Sequence, residues 1–525
     1  MYYMNKLIKA MFCVTFFSIA TRALGFLLKI YLSRRMSPEL LGSYQVAMSV
    51  FGVLMTFVSS GIPVVLSRNI SYYYGQKNKK AIGSTVSSAL IITTIICTIV
   101  SIFILGFPNL LNNIFTSKAS TEMLKILLPG LVFSSIYEVL RGALWGQKKF
   151  FAISFTEFIE QVARIIIIVL LFETTFCSLS LTNKTALSLS LACIISSIIV
   201  VFIYIKEGGN LASPKTEFKG LLKQSSLITT IRTISSAFSS IIAIIIPIKL
   251  MDYGYSSTEA LAEYGIMMGM TFPLLMIPST LIGSLAVTTI PSISEQSNNI
   301  DDGKLKDVTI LKNKITFILK ITVIFATILL PVFLSLGVPI CKFVFKNEKA
   351  GIYLTFASIS MLPLGISQIT TSVLNAIGLE VKTLKNYTIS ALFLIASILI
   401  LPKYIGTYSL IVGYLLMSTV SSLLNIKMLR KRHILDLKFV NVIFIMLGLS
   451  IFSSIIGKLV ANLFKNLFLS IAVSGTIVFL TMSILIYALN IADLKVIIMK
   501  KGIKKTKDSK SKNKPLKASS TKTKI

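Results

Sequence analysis

From residue 7 onward the chain alternates long apolar runs with short polar, mostly basic connections. Each run holds about 18–28 residues, enough for a helix to cross a bilayer. Fourteen such spans are predicted, at 7–33, 39–66, 82–107, 122–144, 151–172, 185–205, 221–249, 258–290, 313–337, 351–377, 384–401, 405–429, 439–460 and 466–490. The two-residue alternation of a membrane barrel is absent. Pro273 and Pro278 predict a bend within span 8.

Loop charge orients the spans. The connections after even-numbered spans are basic, as in "SRNISYYYGQKNKKA", "RGALWGQKK", "KEGGNLASPKTEFKG", "DDGKLKD" and "KMLRKRHILDLK". With the termini, that side holds about two thirds of the 53 Lys and Arg, which predicts both termini in the cytoplasm. One opposite loop, "CKFVFKNEKA", runs against this bias. Trp145 and Tyr72 to Tyr74 fall where an interfacial aromatic belt is expected. The first run shows no small-residue cleavage site and reads as a retained helix. From Lys495 the sequence is rich in Lys, Ser and Thr, predicting a disordered basic tail drawn to anionic lipid headgroups.

Composition agrees with the pattern: 525 residues, 54% hydrophobic and only 14% charged. The net charge of +33 lies in loops and tail, so it speaks for topology and against a nucleic-acid partner. Five scattered cysteines form no CxxC or Cys/His cluster, and His433 is the only histidine, so no metal or other cofactor is expected. There is no GxxxxGK[ST] motif and no nucleophile constellation, so the chain does not read as an enzyme.

An internal repeat adds architecture. "ELLGSYQVAMSVFGVLMTFVSSGIP" from Glu39 aligns without a gap on "EALAEYGIMMGMTFPLLMIPSTLIG" from Glu259, matching Leu41 with Leu261, Tyr44 with Tyr264 and Met48 with Met268. Span 8 is then the counterpart of span 2, six spans later and running the same way. The predicted fold is an all-α polytopic membrane protein of two parallel-repeat six-helix lobes, with two further C-terminal helices. The lobes are expected at 1–206 and 207–435, spans 13 and 14 at 436–494, and the tail at 495–525.

Charges inside spans carry the candidate chemistry, because a cation at mid-helix costs about 2.5–3.5 kcal/mol unless it faces a cavity or a partner. Arg22 and Lys29 share one face of span 1, with Gly25 between them leaving room. In span 7, Ser225, Thr229, Arg232, Ser236 and Ser239 form a polar stripe expected to line a water-filled wall; small-residue helix packing is its alternative. Glu138 with Arg141, and Glu160 with Arg164, are spaced for pairs within helices, and Glu157 lies one turn before Glu160. These acids and Arg141 are candidate gating or ion-pair residues. Arg22, Lys29, Arg232 and Arg164 make a cationic inventory that predicts an anionic substrate.

"TRALGFLLK" in span 1 resembles the Ser/Thr-Arg-x-Leu-Gly-Phe signature of MurJ-type lipid II flippases. "GIPVVLSRNIS" and "SPELLGSYQ" are similar to segments of the stage V sporulation protein B branch of the multidrug/oligosaccharidyl-lipid/polysaccharide exporter superfamily. The resemblance implies alternating-access flipping of an undecaprenyl-pyrophosphate-linked saccharide, lipid II for spore cortex peptidoglycan first among the candidates. It implies a pyrophosphate contact at Arg22 and a charged position at Lys29, with Arg232 in the equivalent helix of the second lobe. Some relatives use aspartates of the second lobe as a sodium site, and none stands at mid-span here. A teichoic-acid or capsule precursor, multidrug cation exchange, and recruitment of cell-wall synthesis proteins are the alternatives.

Overall fold

The computed structural model describes residues 2–107, 109, 111, 114–174, 178–214, 218–301, 308–436, 438–489 and 491. The expected basic tail lies outside the described residues. Span 1 is a single helix, Tyr2–Arg35. Span 2 begins at Pro38, where the Ser37 side chain accepts from the Leu40 amide, and runs to Ser59. After the Ser60–Gly61 break, Ile62–Gly75 continues it. The helix thus extends nine residues past the expected end at 66, through "SRNISYYYG", which had read as loop. Pro63 in its first turn restarts the helix without losing a needed amide.

Spans 3 to 7 follow as Lys79–Gly106, Lys118–Gly146, Phe150–Glu173, Leu181–Lys206 and Phe218–Asp252. Span 8 starts with a capping box between Ser256 and Glu259. It passes through a π-helical turn at Ile266–Thr271 and bends by 44° between Leu275 and Ile277, between the two prolines that predict a bend. Span 9 is Thr309–Thr327 with Leu330–Phe345, restarting at Pro331. Most of "CKFVF" is therefore its last turn, a correction to its reading as loop. Spans 10 to 14 are Glu348–Ala376, Glu380–Ile400, Tyr408–Lys431, Lys438–Ala461 and Leu467–Ala488.

By length and composition, 12 of the described helices can cross a membrane, and the bent span 8 makes 13. The remaining expected span, span 5, is the 24-residue helix Phe150–Glu173. Glu157, Glu160 and Arg164 in its middle set it apart, since lipid alone would not hold them.

The repeat is visible in the packing. Span 4 is the hub of the first lobe, against spans 2, 3 and 6; span 10 holds the same place in the second, against spans 8, 9 and 12. Spans 5 and 6 pair as spans 11 and 12 do. Spans 13 and 14 pack on each other and on span 9, outside both lobes.

The two repeat segments also meet. We call the end of the bundle carrying residues 35–38 and 252–257 distal, and the end carrying residues 75–79 and 146–150 proximal. At the distal end, a Cβ added to Gly42 would lie 1.9 Å from the Leu261 carbonyl oxygen, and one added to Gly265 would lie 2.1 Å from that of Pro38. Spans 2 and 8 thus touch backbone to backbone, as glycine permits between membrane helices.

Candidate functional site

A cavity of about 590 Å³ lies in the proximal half, between spans 2 and 4 of the first lobe and span 7 of the second. Its polar lining includes Ser59 and Ser60 at the break of span 2, Glu138 and Arg141 of span 4, and Arg232 of span 7; Trp145 adds an aromatic wall. Local sequence explains the arrangement. The Gly142 Cα packs on Pro63, where a Cβ would come within 2.8 Å of the Pro63 carbonyl. That close approach sets the exposed edge of span 4 against the broken span 2.

Arg141 sits at the centre of an ion-pair cluster. Its Nη1 bonds Glu138 Oε1 at 3.2 Å within span 4, and its Nη2 pairs with Glu157 of span 5. The sequence spacing anticipated the first pair; the second crosses between helices. All three side chains are about one quarter to one third exposed. The Arg22 charge also acts on Glu157, and Glu160 interacts with both Glu138 and Arg164. Arg164 donates from Nη2 to the Tyr44 hydroxyl of span 2 at 3.0 Å. This cluster, with Lys29 beside Arg164, therefore sets four cations (Arg22, Lys29, Arg141 and Arg164) against three carboxylates (Glu138, Glu157 and Glu160).

Arg22 and Lys29 are exposed on span 1, which packs on span 5. Neither lines the 590 Å³ cavity. Lys29 interacts electrostatically with Arg164, a like charge. Gly25 leaves ordinary contact space, its nearest neighbour being Gln161 Nε2 at 3.8 Å from an added Cβ. Thr21 Oγ1, Gln161 Nε2 and Arg164 Nε, along this same seam, are buried without a hydrogen-bond partner.

The span 7 stripe departs from its expected role. Ser225 is buried, and its carbonyl and Thr229 Oγ1 would lie 2.5 and 2.2 Å from a Cβ on Gly61. Ser236 Oγ accepts from Thr56 of span 2 at 3.4 Å, while Ser239 is exposed. Of the stripe, only Arg232 lines the cavity. Its Nη1 donates to the Ser60 carbonyl at 3.0 Å, an acceptor that the helix break sets free. The stripe is thus mainly a surface that packs on span 2, because Gly61 lets that backbone approach.

At the distal end, Arg34 joins the lobes. Its Nε and Nη2 donate to the carbonyls of Val344 and Phe343 at 2.7 and 2.8 Å, the last turn of span 9. These are orphan acceptors at a helix C-terminus, where a cation is favoured. Arg35 pairs with Glu173 within the first lobe. Inside the second lobe, Asn425 bonds Asn386 at 2.9 Å and donates to Thr371 and Thr370 at 3.0 and 3.2 Å. This cluster is built from amides and hydroxyls alone. Among the described residues no group of three or more His, Cys, Asp or Glu is placed to hold a metal.

Sequence reasoning gave Arg141 no substrate role and placed Trp145 in an interfacial belt. The signal for both was present: Glu138, Arg141 and Trp145 lie three and seven positions along one helix face. Nothing local showed that this face meets Arg232.

Comparisons with known proteins place the chain in a family and a fold. Residues 7–297 match the family described as "Polysaccharide biosynthesis protein". The chain is 24% identical over 290 residues to "Stage V sporulation protein B" of Bacillus subtilis (strain 168), covering 53% of this chain and 56% of that protein. It is 23% identical over 308 residues to "Sporulation protein YkvU" of the same organism, covering 56% and 66%. The chain thus spans somewhat over half of the length of these curated relatives. The fold is similar to "Lipid II flippase MurJ, inward closed conformation", with TM-score 0.67 at 18% identity over 90% of this chain and 99% of that one. It is also similar to an inward-facing multidrug resistance MATE family transporter, with TM-score 0.66 at 16% identity over 78% and 94%. The match runs from residue 7 through the charge cluster of spans 1, 4 and 5 into span 8, more than half of the chain, and on it the chain belongs to the polysaccharide biosynthesis protein family.

Proposed function

We propose that this multi-pass membrane protein is a flippase for a polyprenyl-pyrophosphate-linked saccharide, working by alternating access, with lipid II for spore cortex peptidoglycan as the leading substrate. The observation that carries the reading is the cavity where Arg141 of one lobe and Arg232 of the other face one space, below a distal seam closed by backbone contact. Arginine suits a pyrophosphate because its forked donors match phosphate oxygens. Arg22 and Lys29 extend positive charge along span 1, with Arg164 behind them; the acids around Arg141 keep it placed while the cavity is empty.

In this reading the proximal end faces the cytoplasm, in accord with the loop charges, and both termini lie there. Residues 1–206 and 207–435 act as the rocking lobes, and 436–494 as an appendage on the second. The prenyl tail stays in lipid while the headgroup enters the cavity. The basic tail at 495–525 lies against anionic lipid. An organic-cation exporter would need a carboxylate free to hold its cargo; Glu138 and Glu157 are both engaged by Arg141, and Glu160 lies in the field of Arg164 and Arg141.

Depletion of the protein in its native cell tests this. Lipid extracts should show an undecaprenyl-pyrophosphate-linked saccharide accumulating, and its sugar composition identifies the substrate. Unchanged pools of every lipid-linked precursor would contradict the proposal.

A further inference from the structure

Trp145 is the only tryptophan in the chain. It lies in the last turn of span 4, one turn beyond Arg141, and lines the same cavity as Arg141 and Arg232. Its side chain is 49% exposed. Phe150 meets its ring edge-on, with centroids 5.5 Å apart and planes at 82°. Its neighbour Gly146 packs so closely on span 2 that an added Cβ would lie 2.6 Å from the Ser67 carbonyl. The Gly146 contact fixes the backbone that carries the indole, and Phe150 braces the ring on one side while it stays open to the cavity, an apolar plate beside two cations.

We propose that Trp145 is the sugar platform of this cavity, taking a pyranose ring against the indole while Arg232 and Arg141 take the adjoining phosphates. The inference rests on the flippase reading above. A pyranose is polar at its rim but presents C–H groups on its face, and those gain dispersion contact on a flat aromatic surface. The phosphates need donors, and Arg232 has five, of which Nη1 holds the Ser60 carbonyl. Arg141 is already neutralised by Glu138 and Glu157, so an incoming pyrophosphate competes with those carboxylates. The sugar contact then supplies discrimination that phosphate recognition lacks, since every polyprenyl pyrophosphate carries the same phosphates. The competing role for an exposed membrane tryptophan is an interfacial anchor, which is indifferent to sugar.

With one tryptophan in the chain and a tryptophan-free nanodisc scaffold, indole emission reads this site alone. The full chain in nanodiscs is titrated with a polyprenyl-pyrophosphate disaccharide and with the bare polyprenyl pyrophosphate, while retention of each radiolabelled lipid on the purified protein reports binding independently. The saccharide lipid should change the emission saturably and the bare lipid should not. Trp145→Ala should weaken retention of the saccharide lipid roughly tenfold and leave the bare lipid unchanged, and Trp145→Phe should restore part of the loss. Retention of the saccharide lipid with unaltered emission, or an equal loss of both lipids in Trp145→Ala, would overturn the platform and leave the flippase reading standing. Retention of neither lipid would overturn both.

Discussion

Adding one methyl group at the distal seam should open it. In Gly42→Ala the new Cβ lies 1.9 Å from the Leu261 carbonyl oxygen and 2.8 Å from its carbon, both backbone atoms that no rotamer change can move. Ordinary contact begins near 3.4 Å, so spans 2 and 8 must separate by about 1.5 Å. Overpacking of this kind costs about 1–3 kcal/mol. A state with the distal end open lacks the contact and escapes that cost, so the equilibrium should move toward it by roughly 5- to 150-fold. Spin labels at Lys118→Cys and Thr258→Cys, both exposed at distal helix starts of opposite lobes, report the separation by pulsed EPR in a background without the native cysteines. The long-distance population should grow in Gly42→Ala and grow further with Gly265→Ala added. An unchanged distance distribution together with an unchanged Tm would refute the reasoning, because the methyl would then have been absorbed without displacing either helix.

Three further outcomes follow from the same geometry. Arg34→Ala removes two donors to span 9 carbonyls and should shift the same EPR distances in the same direction, with Arg34→Lys failing to restore them because one ammonium does not reproduce the fork. Glu157→Gln loosens the hold on Arg141, so retention of radiolabelled polyprenyl pyrophosphate should strengthen while Tm falls; weaker retention would show that Glu157 positions Arg141 for the ligand. Asn425→Leu breaks three interhelical hydrogen bonds at a fully buried site and should cost about 0.6–2 kcal/mol for each, read as a lower Tm, and Asn386→Leu in that background should add little.

The fold was legible because its signals are long and local. Runs of apolar residues, basic loops and the Glu39–Glu259 repeat each act within one helix or one register, and the packing of span 4 and span 10 follows from them. Breaks were partly legible: Pro273 and Pro278 foretold the bend in span 8, whereas the helix beyond Gly61 was hidden by polar residues that resemble a loop. The candidate site was harder to read. Arg141 has an obvious partner three residues away in Glu138, which masks its second partner on span 5. The span 7 stripe has the composition of both a wet wall and a packing face; Gly61, far away in sequence, decides between them. Arg22 stands out by cost alone, but its place beside Glu157 depends on how spans 1 and 5 meet.

In the proposed flippase, cations of both lobes carry an anionic lipid headgroup across the membrane. Purified protein in vesicles, with a fluorescent lipid-linked disaccharide in one leaflet, tests it by the rate at which the label becomes accessible to a quencher on the other side. Exchange should run well above that of protein-free vesicles and fall at least tenfold in Arg232→Ala and in Arg22→Ala, with each variant still folded. Exchange no faster than in empty vesicles, or undiminished in both variants, would contradict it.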